Sequence, residues 1–287
     1  MEEILAEAGR SRLSLWETFE RRTKVFDDDP GGPGNTVPNP GLRTTIRRTL
    51  LDFTHAFTGS LSANLGLAFP DIRLRDETNP ASPSEREFDG IGDTTLALRY
   101  AFAAGESSPH EETGRLHAHP PLFSLSAGLS FPTGEPERPT TGGPVANSTL
   151  QTGTGTFDPL VGLSYVQGWG RFSTFGSVAA RFPGGENRFD FRTGTAVQAS
   201  LGASVPVAEK LALVPKVSYA WQDADEIDGV DAFASGGNWL YVVPGALVRM
   251  SENADFQVAV EVPVWRNLRT EQLDTQARVT FGIGYRF

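Results

Sequence analysis

Cysteine is absent from the 287 residues, which removes disulfide scaffolds, thiolate metal sites and cysteine nucleophiles. No apolar run approaches the ~20 residues that a membrane-crossing helix needs. There is no basic excess either. The formal net charge is −10, so little is available to neutralise phosphates, and nucleic acid is excluded as a partner. The Ala, Glu, Lys and Leu dominance of a coiled coil or helical bundle is also missing. No secretory leader is visible. Met1 is followed by Glu2, Glu3, Ile4, Leu5, Ala6 and Glu7, with neither a basic start nor an apolar centre. If exported, this is a mature chain behind an added Met or one with a mis-assigned start. None of these absences excludes a transmembrane β-barrel, which hides half of each strand from lipid and is hydrophilic on average.

What is present is alternation. The chain ends Ala277-Arg278-Val279-Thr280-Phe281-Gly282-Ile283-Gly284-Tyr285-Arg286-Phe287, apolar at odd positions and polar or small at even ones. The same period of two runs through Leu61–Phe69, Leu96–Phe102, Phe123–Phe131, Val197–Ala203, Leu211–Trp221 and Phe256–Val264. A soluble β-sandwich also alternates. Two details favour a barrel. The polar face is rich in Gly, Ser and Ala, as in a crowded lumen. The apolar face carries aromatics at its ends, such as Phe123 with Phe131 and Tyr100 with Phe102, as in interfacial girdles.

The expected fold is all-β: a transmembrane antiparallel β-barrel of about twelve strands over residues 12–287. Residues 1–11 form a short periplasmic N-terminal extension, helical over 2–8. The strands are expected at 13–26, 43–57, 61–75, 91–103, 121–132, 155–168, 171–183, 189–204, 210–223, 238–250, 254–266 and 274–287. The first is the weakest, because Glu17 shares the parity of Leu13, Leu15 and Phe19. Connections sort by parity. One set is mostly long and rich in Pro, Gly, Asp and Glu; the other is short, except for 104–120. That asymmetry separates extracellular loops from periplasmic turns.

Three segments carry a family resemblance. They are Phe57-Thr58-Gly59-Ser60-Leu61 running to Phe69-Pro70, Gly90-Ile91-Gly92-Asp93-Thr94-Thr95-Leu96, and Thr152-Gly153-Thr154-Gly155-Thr156-Phe157-Asp158-Pro159. Together they resemble the outer-membrane proteins named after the meta-cleavage pathway of phenol degradation. The resemblance spans the chain from about residue 12 and implies an outer-membrane channel for small, often aromatic compounds.

Parity then places charge. Arg48, Asp52, Asp93, Arg99, Asp158, Arg181, Asp190, Arg192, Lys216, Arg249, Glu261 and Arg278 are expected to line the lumen, since a mid-depth Arg or Lys facing lipid costs about 2–4 kcal/mol. They either form bracing salt bridges or a selectivity lining; the cations outnumber the acids, which favours anions or polar solutes. Lumen glycines such as Gly66, Gly128, Gly162, Gly202, Gly282 and Gly284 are expected to leave open space. Twelve strands at ~4.8 Å spacing and a ~40° tilt give a backbone diameter of roughly 24 Å, enough for a small molecule.

Other chemistry is thinner. His110, His117 and His119 crowd the 104–120 turn beside Glu111 and Glu112, a weak Zn²⁺ or Cu²⁺ pattern. His55 sits near a strand end, and no Ser–Asn partner can be placed beside it. No cofactor is implied. The acidic run Asp223–Asp228 lacks the spacing of a Ca²⁺ loop and is expected to be solvated. Phe281, Ile283, Tyr285 and Phe287 are expected to serve as the signal for the barrel assembly machinery, the other partners being outer-membrane lipids and a small solute. The expected function is passive diffusion across the bacterial outer membrane rather than catalysis. The alternatives are a lipid or lipopolysaccharide hydrolase, or a closed structural or adhesion barrel.

Overall fold

The structure is a computed structural model that describes residues 8–27, 35–38, 41–79, 81, 83–104, 121–136, 151–232, 235–269 and 272–287. The expected helix over 2–8 and the His110, His117 and His119 turn fall outside the described residues, apart from Ala8.

Alternation places each strand's apolar residues on one side, and closure removes the unpaired edges that such strands would otherwise expose. Twelve antiparallel strands close into a barrel. They are β1 (Ser11–Asp27), β2 (Leu42–Ala56), β3 (Leu61–Asp76), β4 (Thr94–Ala103), β5 (Leu122–Phe131), β6 (Asp158–Gly168), β7 (Ser173–Arg181), β8 (Ala196–Ala208), β9 (Leu211–Leu213 and Lys216–Gln222), β10 (Gly237–Val243 and Gly245–Arg249), β11 (Ala254–Leu268) and β12 (Leu273–Arg286). Pro215 and Pro244 lie at the breaks in β9 and β10, where a residue without an N–H cannot donate to the ladder. β1 pairs with β12 from Arg12↔Arg286 upward, and Ser11 and Phe287 exchange two backbone hydrogen bonds at 2.8 and 2.9 Å. The uncertain first strand is thus the one that closes the barrel.

The rim opposite the termini carries additional short strands. Asn35–Pro38 extends the end of β1, and Ser84–Asp89 pairs with the upper half of β3 while β4 pairs with the lower half. Phe191–Arg192, Glu226–Ile227 and Val230–Asp231 form a separate three-stranded sheet.

That sheet corrects the expected start of the eighth strand at 189. The sequence goes on alternating through Phe191 and Arg192, but Asp190 has φ 55°, and the Asn187 side chain accepts hydrogen bonds from the backbone of Phe189 and Phe191. Asp225, fully buried, takes the Gly194 N–H at 2.8 Å. The chain is thereby turned into the cap before β8 begins. Asp225 is a structural staple here rather than a solvated acid.

In β2 and β3 the apolar side switches along a single strand. Below Pro70 the outward residues are Leu51, Phe53, Leu65, Leu67 and Phe69. Above it the apolar residues turn inward. Ile46, Ile72, Leu74 and Phe88 form a buried cluster with Leu42 and Leu273 against it, while Arg43, Arg47, Arg73 and Arg75 face out. The lower band is built for lipid outside, and the upper rim for water outside.

Candidate functional site: the barrel lumen

Inward parity gives the lumen two unlike walls. Around β4 to β8 the inward residues are small: Ala97 opposite Gly128, Ser126 opposite Gly162, and Ala179 opposite both Gly162 and Gln198. Facing them, β1, β2, β11 and β12 present charge. Glu20, its side chain fully buried, is the centre. It accepts from Arg22 Nε at 2.6 Å, Thr275 Oγ1 at 2.6 Å and Arg278 at 3.1 Å, and Arg278 also reaches Glu261 at 2.6 Å. Higher on the same wall Arg266 pairs with Asp274, which also accepts the Trp239 indole N–H at 3.3 Å. Lower down, Arg12 pairs with Asp255 at 3.0 Å.

Between the walls lies a cavity of about 470 Å³. Its lining includes Arg22, Arg278, Tyr241 and Trp239 on one side, and Ala97, Gly128, Ala179 and Arg181 on the other. A cavity with cationic and aromatic groups opposite a shelf of small residues suits a compact solute with an apolar body and a polar or anionic end.

The expected lumen residues divide into groups. Glu261 and Arg278 meet directly. Arg48 and Asp52 share inward parity with this wall, and Asn64 donates to Asp52. Arg99, Arg181, Lys216 and Arg249 also hold inward register positions, and no ion pair joins them to another described residue. Asp93 and Asp158 are loop clamps. Asp93 accepts from Gly134 N at 3.0 Å, Thr154 N at 2.7 Å and Thr154 Oγ1 at 2.9 Å; Asp158 accepts from Thr156 Oγ1 at 2.6 Å and Gly184 N at 3.0 Å. Burial pushes the Asp93 carboxyl above the ordinary aspartate value against the pull of those donors. Asp190 and Arg192 leave the lumen wall. Asp190 occupies a turn, and Arg192 pairs with Glu226 at 3.3 Å in the cap sheet.

Two further expectations change. Gly282 and Gly284 do not leave open space: a Cβ at Gly282 would strike the Trp16 ring, and one at Gly284 the Arg12 guanidinium. Those glycines admit large neighbours from β1. His55 does have a serine partner, because the register sets Ser11 opposite it and Ser11 Oγ lies 2.9 Å from Nδ1. The ring packs edge-on against Phe57, and among the described residues no carboxylate contacts it. That is a cross-strand hydrogen bond at the barrel edge.

Glu20, Arg22 and Asp274 were not anticipated. The even-number parity of β1 would have revealed the first two, and Glu17 obscured it. Glu17 faces outward, held by Arg47 and by Thr49 Oγ1 at 2.8 Å.

Residues 27–279 match the family described as "Putative MetA-pathway of phenol degradation". The chain belongs to this family. Its fold resembles that of the COG4313 outer membrane channel from Pseudomonas putida F1, with a TM-score of 0.73 at 14% identity over 100% of this chain and 99% of that one. More distant likenesses are the translocator domain of the autotransporter NalP from Neisseria meningitidis (TM-score 0.49, 10% identity, 100% and 91% covered) and the TodX deltaS2S3 mutant monoaromatic hydrocarbon channel (0.45, 10%, 98% and 91%). The comparison with curated proteins gives no match. The fold is therefore that of outer-membrane barrels.

Proposed function

We propose that this family member is an outer-membrane channel for passive diffusion of small solutes, with a mild preference for anionic or aromatic compounds. The observation that carries the reading is the cavity of about 470 Å³ enclosed by a closed barrel and bounded by two unlike walls. Ion pairs anchor Glu20, Glu261, Arg22 and Arg278 to the wall, so this side braces the barrel. Arg181 and Lys216 stand across from it without an ion-pair partner among the described residues, and supply the field that a permeating anion would feel. The apolar residues Phe281, Ile283 and Tyr285 face outward on β12, Phe287 follows them exposed at its end, and the run suits recognition by the barrel assembly machinery.

Planar-bilayer conductance in a salt gradient tests the reading. Wild type is expected to conduct in small steps and favour anions. Arg181→Glu with Lys216→Glu should move the reversal potential toward cations. A barrel that inserts and conducts nothing, or a double reversal with unchanged selectivity, would refute it.

A further inference from the structure

On the outside of the barrel, at the height where β2 and β3 pass from lipid-facing to water-facing, the register brings arginines together. Arg43 on β2 lies directly opposite Arg75 on β3. Arg21 on β1 lies opposite Thr45, two residues from Arg43 and on the same face. Directly opposed residues stand ~4.5–5.5 Å apart and diagonal ones ~7–8 Å, and like charges placed so destabilise a sheet. Nearby acids pair with Arg47 (through Glu17), Arg73 and Arg75, but with neither Arg21 nor Arg43 among the described residues. Asp71 and Glu87 hold Arg73, Glu77 bonds Arg75 at 2.7 Å, and Glu85 lies across from Arg75 on its far side. Arg21 and Arg43 are exposed and make no ion pair with a described residue.

Immediately below, the same face is aromatic. Phe19 stacks on Phe281 at 5.7 Å, Arg47 lies over the Phe19 ring, and Phe69 is exposed beside them. Cations above an aromatic shelf match an amphiphile with anionic groups at the headgroup level and acyl chains below.

We infer that Arg21, Arg43 and Arg75 form a binding site for the phosphate groups of a phosphorylated glycolipid of the outer leaflet, with its chains resting on Phe19, Phe69 and Phe281. This rests on the membrane reading above. It assigns no role to the lumen.

The test uses the full chain folded in detergent, titrated with a bisphosphorylated glucosamine-disaccharide lipid and followed by native mass spectrometry. Each arginine near a charged headgroup contributes about fivefold in affinity, so Arg21→Gln with Arg43→Gln should weaken binding roughly 25-fold. The Lys double variant should retain most of it, and Arg249→Gln at the opposite mouth should match wild type. The dephosphorylated lipid should bind wild type as weakly as the Gln double variant binds the phosphorylated one. Equal binding by the Gln variant, or of the dephosphorylated lipid, overturns the site. Full competition by inorganic phosphate would make it a free-anion site and overturn the lipid assignment. Conductance of both proteins in phospholipid bilayers separates the two readings. If both insert and conduct alike while lipid affinity is unchanged by mutation, only this inference fails. If neither inserts, it falls together with the membrane reading.

Discussion

The lower band and upper rim of β2 and β3 use the same strands and the same parity, yet opposite chemistry. In the band, Leu51 and Phe53 point out and Asp52 points in. In the rim, Ile46 and Ile72 point in and Arg43 and Arg73 point out. A strand has no memory of which side is apolar; what changes is the solvent outside it. In the band the outer medium is hydrocarbon, and the polar groups must find one another inside. In the rim it is water, and the wall adopts the inside-out pattern of an ordinary soluble sheet.

The largest effect that tests this contrast is expected in the band interior. Glu20→Ala removes the acceptor shared by Arg22, Arg278 and Thr275 and leaves buried cations facing one another. Barrel stability should fall by about 3–5 kcal/mol, measured by urea unfolding in detergent and by loss of heat-modifiable gel mobility. Stability like that of wild type would mean that the cluster is not structural.

Inside the rim, Ile72→Ala empties a fully buried site against Ile46 and Phe88 and should cost about 2–4 kcal/mol. Hydrogen exchange should report the loss locally in β2, β3 and the Ser84–Asp89 strand. Spread over the whole barrel, it would show that the rim is not a separate packing unit.

Outside the band, Leu201→Arg near the middle of β8 places a cation toward lipid and should cost about 2–4 kcal/mol in bilayers. Outside the rim, Glu85→Leu should change stability by less than about 0.5 kcal/mol. Similar costs for both changes would erase the boundary drawn at Pro70.

A smaller effect sharpens the picture at the seam. Gly282→Ala should cost about 1–3 kcal/mol through overpacking against Trp16, and Trp16→Ala in the same chain should recover much of it. Additive losses in a double-mutant cycle would show that the two do not share one space.

Much of this was available from the residues in order. Period-two alternation located the strands, the sorting of long and short connections ordered them, and the terminal run ending at Phe287 marked the closing strand. These are local properties, since a side chain's face follows from its position modulo two whatever the rest of the chain does. What meets across the lumen is not local. Glu20 and Arg278 are 258 positions apart, and they touch because the register of β1 on β12 sets them opposite each other. The same register fills Gly282 with Trp16, and that of β1 on β2 seats Ser11 against His55. Asp190 and Arg192 kept the alternation but left the wall, because Asn187 and Asp225 captured their backbone. Alternation is a rule about neighbours along the chain, and so the sequence determined faces and strand count. Strand pairing around the closed circumference decided which inward residues became a brace and which were left to face a solute.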